Sequence, residues 1–252
     1  MSTLVTSELR KVLTLRFWWA LAIAPVVIAM FTGAIYGTVA DGLELVDEAN
    51  PEAAATAALM IAIMATSLAA AVFGAVNAGT EFRHHTFTPT FLTTRGRDSV
   101  LATKLGVTAL FGLGYAIAVE IVTVACLLVF GGDSVEFTSE FLTLIPVAAL
   151  VTALWALLGA GLGLLFASST AASVTLLAWI PVGELIADTI LHNVGGGALV
   201  GWLPGALTLS TLTFPVEIEW LPAWQAALLA LIVWTAAICA FGWWRTRSRD
   251  IA

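Results

Sequence analysis

All ten Lys and Arg residues of this 252-residue chain fall in three short stretches. Arg10, Lys11 and Arg16 precede the first long apolar run. Arg83, Arg95, Arg97 and Lys104 share one connector, and Arg245, Arg247 and Arg249 close the chain. Between these stretches lie apolar segments without a single basic residue, at about 17–39, 55–79, 105–130, 142–166, 171–191 and 223–244. Each approaches the roughly 20 residues a helix needs to cross a ~30 Å hydrocarbon core. None alternates with the period of a barrel strand. In lipid every backbone polar group must find a partner within the protein, so helix is the expected conformation throughout.

Composition agrees. The chain is 60% hydrophobic and 11% charged, whereas a soluble domain carries roughly 25% charged residues. The expectation is an all-α polytopic membrane protein with six transmembrane helices, built as a single transmembrane domain over residues 1–252. Phe17 to Val39 is longer than the ~7–15 residues of a cleaved signal's apolar region, so it reads as a retained span. Cys126 and Cys239 both lie inside apolar runs and act there as small hydrophobes.

Short basic loops resist translocation, so the three basic stretches assign both termini and the 80–104 connector to the cytoplasmic side. The acids fall elsewhere: Asp41, Glu44, Asp47, Glu48 and Glu52 in one connector, Asp133, Glu136 and Glu140 in a second, Glu217 and Glu219 in a third. Those connectors face outward, and the uncharged 167–170 turn faces inward.

Two segments outside the spans have patterns of their own. Val5, Leu9, Val12 and Leu13 recur at helical spacing while Glu8, Arg10 and Lys11 face elsewhere. This predicts a short N-terminal amphipathic helix lying in the membrane interface, anchored by Phe17, Trp18 and Trp19. Residues 192–222 are too apolar for a solvated loop and too interrupted by Gly and Pro for a span. Re-entrant or interfacial helical pieces before the last span are expected there.

The connector after the second span runs from Gly79 through Glu81, Phe82, Arg83, His84-His85, Thr86, Phe87, Pro89, Phe91-Leu92, Thr94, Arg95 and Arg97 to Lys104. In this stretch the chain resembles the permease subunits of type-2 ABC exporters. There an acid, an Arg two positions on, a Thr, an apolar pair and basic residues precede a Lys that opens the third span. Thr94 stands where that pattern commonly has Pro, Pro89 comes earlier, and His85 replaces a frequent Gly. The order of other motifs is similar too: a basic, Trp-containing entry to the first span, Pro181-x-x-Glu184 at the end of the fifth, and Trp202-Leu203-Pro204 in the outer segment.

The resemblance implies a subunit of a bacterial plasma-membrane transporter that exports a hydrophobic or amphipathic compound through a pore made by two permease subunits. The partners it implies are ATP-binding ABC subunits, a second copy or a homologous permease, and the bilayer, with no nucleic acid. ATP and Mg²⁺ would be bound by the partner ATPase, with no cofactor in this chain. Glu81, Phe82, Arg83, Phe87, Phe91, Leu92 and Arg95 are the expected coupling residues, since exposed Phe in a basic loop calls for a partner. The same Phe side chains also suit burial in the membrane interface, with the arginines setting topology alone.

Three acids are candidates for a translocation path: Glu120 inside the third span, where an ionisable group is expensive, and Glu184 with Asp188, one turn apart in the fifth. The alternatives are an interhelical hydrogen bond for Glu120 and simple access to water for the pair. Gly159-x-x-x-Gly163 and the Ala-rich second span suit close helix packing or a hinge. Neither a catalytic residue nor a metal site is expected: His84-His85 has no completing ligands, and no GxxxxGK[ST] loop is present for ATP. Two other classes share the architecture, the substrate-capture component of an energy-coupling importer and an intramembrane enzyme.

Overall fold

The computed structural model describes residues 2–43, 51–83, 96–214 and 218–248. Among them the regular structure is helical and contains no strand. The elements in chain order are α1 (Ser2–Thr14), α2 (Phe17–Leu43), α3 (Pro51–Arg83), α4 (Arg97–Gly131) and α5 (Ser139–Phe166). They continue with α6 (Ser169–Ala178), α7 (Glu184–Asn193), α8 (Pro204–Leu212) and α9 (Trp224–Ser248). Six helical segments are long and apolar enough to cross a membrane: α2, α3, α4, α5, the composite of α6 and α7, and α9. The protein is a multi-pass membrane protein.

α3 and α5 form the centre, each with 56% of its most apolar stretch buried. Small residues let them approach. A Cβ placed on Gly159 would fall inside the envelope of the Ala71 carbonyl, and one on Gly163 would lie 2.8 Å from the Ala75 carbonyl. Gly161, on the other side of α5, faces the backbone of Cys239 in α9. The small residues therefore serve close helix packing.

The helices run past the apolar stretches at several ends, and three departures from the sequence expectation bear on the site. The third span begins at Arg97, eight residues earlier than the apolar run, and carries Lys104 inside the helix. The fifth is broken at Trp179–Gly183 by a π-helical turn. Pro181 has no N–H to give the preceding turn, and the ladder resumes when Glu184 N–H donates to the Trp179 carbonyl, five residues back. The last helix runs on to Ser248, taking Arg245 and Arg247 with it.

The basic clusters come together at one end of the bundle. There α1, the end of α3 and the start of α4 share ion pairs, and Arg247 of α9 lies 3.6 Å from Asp98 of α4. The 167–170 turn belongs to the same end, where a Cβ on Gly79 would collide with Ser169. Ala167 takes a left-handed conformation (φ 52°) to reverse the chain, and the Ser168 hydroxyl accepts from Ala171 N–H to start α6.

Candidate functional site

Four charged side chains close a ring at the basic end: Glu8 and Lys11 from α1, Glu81 from α3, and Lys104 from α4. Lys104 Nζ lies 2.7 Å from both Glu8 Oε2 and Glu81 Oε1. Lys11 Nζ lies 3.1 Å from Glu81 Oε1 and completes the ring through Glu8. The Lys104 side chain is 1% exposed and that of Glu8 3%. An ammonium so deeply buried is tolerable only with opposing charge at hydrogen-bond distance, which two carboxylates supply.

Electrostatics follow from that geometry. Burial alone would raise the Glu8 carboxyl, but the Lys104 charge and its hydrogen bond, with Lys11 beside them, hold it below its ordinary 4.5. Burial alone would lower the Lys11 ammonium, and the hydrogen bond it donates to Glu8, with the charges of Glu81 and Glu8, raises it above 10.5 instead.

An aromatic stack supports the ring. Phe73 of α3 stacks on Phe17 (centroids 5.4 Å apart) and Phe111 (5.2 Å), and meets Tyr115 edge-on. Val12 of α1 is buried in the same cluster, and Tyr115 Oη donates to the Trp18 carbonyl. The packed face of α1 thus carries Glu8 and Val12, whereas Val5 and Leu13 are exposed. The sequence pattern put Glu8 and Lys11 away from the packed side. Their remote partners on α3 and α4 turn that face inward. Between α1 and α3, Lys11, Thr14, Phe17, Asn77, Thr80 and Glu81 line a cavity of about 480 Å³.

The expected coupling residues divide. Glu81 points into the ring. Phe82 packs, half-buried, against a cluster of Ala78, Val100, Leu101, Ala160 and Leu164. Arg83 ends α3 and is exposed. Phe87, Phe91, Leu92 and Arg95, with His84-His85, lie outside the described residues. Among the described residues no group of three metal-ligating side chains occurs.

The intramembrane acids do not converge. Glu120 is buried in α4 with Oε1 lacking a hydrogen-bond partner. Glu184 is occupied at the other end of the molecule, where Oε1 accepts from Gly205 N–H at 2.6 Å and from Trp179 Nε1 at 3.2 Å. A carboxylate at the first turn of α8 satisfies orphan amides and complements the helix dipole. Gly205 is required for this approach, since a Cβ would collide with the carboxylate. α8 itself is packed inward, and Trp155 of α5 donates from Nε1 to Thr208 Oγ1 at 2.9 Å. Asp188 pairs with His192 at 2.7 Å, both exposed.

Sequence reasoning missed the ring as a unit. Its one local signal is the Glu8/Lys11 spacing of three residues; the three other links join residues of different helices, two of them 96 and 70 positions apart. A lysine at the head of an apolar helix with no adjacent acid is the trace that points to a distant carboxylate. No known protein family matches the chain, and no relative is found among curated proteins.

Proposed function

We propose that the chain is the membrane-spanning permease subunit of an ATP-driven ABC exporter of the type-2 group, moving a hydrophobic or amphipathic compound out of a bacterial cell. Two such subunits would form the pore in the plasma membrane, both termini cytoplasmic, with ATP and Mg²⁺ held by separate ATPase subunits. The observation that carries this reading is the Glu8–Lys104–Glu81–Lys11 ring. It ties together both helices flanking residues 84–96 and the N-terminal helix, so a displacement of that segment would move α1, α3 and α4 as one body. Phe87, Phe91, Leu92 and Arg95 of the connecting segment would meet the ATPase.

A second support is the fifth span, of which only 6% is buried within the chain. Such a face suits a second permease subunit, which the proposed pore requires. Co-purification tests the reading. The chain extracted from its own membrane is expected to retain a P-loop ATPase, and Phe87→Asp or Phe91→Asp is expected to release it. A purified chain that retains a small ligand alone and no ATPase would favour the importer component instead.

A further inference from the structure

The cavity between α1 and α3 has two unlike ends. At one end Phe17 stacks on Phe73, and at the other Lys11 pairs with Glu81. Phe73 and Glu81 stand eight residues apart on α3, about 12 Å along its axis. Between them Val76, Asn77 and Thr80 line the cavity, with Thr14 and Leu15 of α1 across from them. The wall is mostly apolar, and Thr14 and Leu15 are exposed at its edge. A volume of about 480 Å³ is that of a small-molecule site rather than a packing defect.

Its polar groups are few and held in place. Asn77 is 8% exposed, and its Nδ2 donates to Thr108 Oγ1 at 2.9 Å. The Thr108 hydroxyl hydrogen is committed to the Lys104 carbonyl at 2.8 Å, so Thr108 Oγ1 acts as acceptor towards Asn77. That orients the amide and leaves Asn77 Oδ1 as an acceptor for a molecule in the cavity. Thr80, half-buried about one turn nearer the ring, adds a hydroxyl.

The ring sets the charge of the occupant. Lys11 and Lys104 each contact both Glu8 and Glu81, so two ammonium groups and two carboxylates alternate and balance. A ligand anion reaching Lys11 meets the repulsion of both carboxylates, and a ligand cation reaching Glu81 meets both ammonium groups. Arg10 and Arg16 are exposed and do not line the cavity. An uncharged head that donates a hydrogen bond avoids both repulsions and satisfies Asn77 Oδ1.

We infer that this cavity binds an uncharged amphiphile, a single apolar tail ending in a hydroxyl or primary amide. The head donates to Asn77 Oδ1 beside the ring, and the tail lies against Val76, Phe17 and Leu15. The site rests on the fold alone and is independent of the ATPase.

The test is photolabelling of the full-length chain in membranes with three probes that share one diazirine-bearing decyl tail. Their heads are a hydroxyl, a carboxylate and a trimethylammonium. Labelled peptides are mapped by mass spectrometry and normalised to the labelling of α4. The alcohol is expected to label residues 11–17 and 76–81 about tenfold more than either charged probe. Val76→Trp, which fills the cavity, is expected to abolish that labelling, whereas Leu229→Trp on the exposed face of α9 leaves it intact. Asn77→Leu removes the acceptor at similar volume and should bring the alcohol down to the level of the charged probes. Comparable labelling by the three probes, alcohol labelling that survives Val76→Trp, or an alcohol advantage unchanged in Asn77→Leu would overturn the site. A chain that shows the alcohol preference but retains no ATPase keeps this inference and loses the proposed function.

Discussion

Lys104 decides the structure of the basic end. In sequence it marks the edge of a span; in the folded chain it sits inside the helix because Glu8 and Glu81 neutralise it from two other helices. Replacing it with Met leaves two buried carboxylates sharing Lys11, and breaking a buried pair from one side costs about 3–5 kcal/mol. Thermal unfolding in detergent is expected to show that loss. Adding Glu81→Gln to Lys104→Met should recover part of it, because the stranded carboxylate is then gone.

The same residues give a pH profile. Glu8 is lowered in the fold, so its contribution is complete above its unfolded value of 4.5 and disappears as pH falls through the lower folded value. Lys11 is raised, so its contribution is complete below 10.5 and disappears as pH rises through the higher folded value. Unfolding temperature is therefore expected to be flat from about pH 5 to about pH 10 as far as this ring is concerned. Glu8→Gln should shrink the fall on the acid side, and an acid limb identical in that variant would rule the ring out as its source.

At the level of elements, α8 is held by Glu184, and two fragments visible in sequence turn out to be one device. Pro181-x-x-Glu184 and Trp202-Leu203-Pro204-Gly205 stand 21 residues apart at the Glu184–Gly205 bond. Glu184→Ala is expected to loosen α8 by about 1–2 kcal/mol, read as faster amide exchange over 205–212 with α5 unchanged. Gly159→Ala should destabilise the α3–α5 contact by about 1–3 kcal/mol through overpacking. Gly114→Ala, which meets open space, should be neutral or slightly stabilising, since Ala is the better helix former.

These elements also mark what was legible. Span number and positions followed from apolar length, because a bilayer imposes that length directly. The π-helical turn at Pro181 and the early start of α4 were not legible as such. The first needs the register of the hydrogen bonds, and the second needs carboxylates from remote segments. The acid pair of the fifth span likewise split into a helix anchor, Glu184, and Asp188, which pairs locally with His192. Spacing alone put both on one face and could not tell which faced α8.

For the whole molecule, the fifth span is the least covered, 6% buried against 56% for α3 and α5. If it meets a second subunit, single cysteines at Val182 or Leu185 in a background lacking Cys126 and Cys239 should crosslink into dimers in native membranes. Cysteines at Leu229 or Val233 of α9, which are as exposed at 64% and 66%, should not. Equal crosslinking at both helices would argue for random collision.

ATP-driven transport by the assembled protein tests the central claim most directly. In sealed vesicles carrying this chain with its co-purified ATPase, an amphipathic dye should accumulate only with ATP and Mg²⁺. Phe87→Asp should abolish that accumulation while leaving the chain folded in the membrane. Undiminished transport by the chain alone, without ATP, would contradict the account.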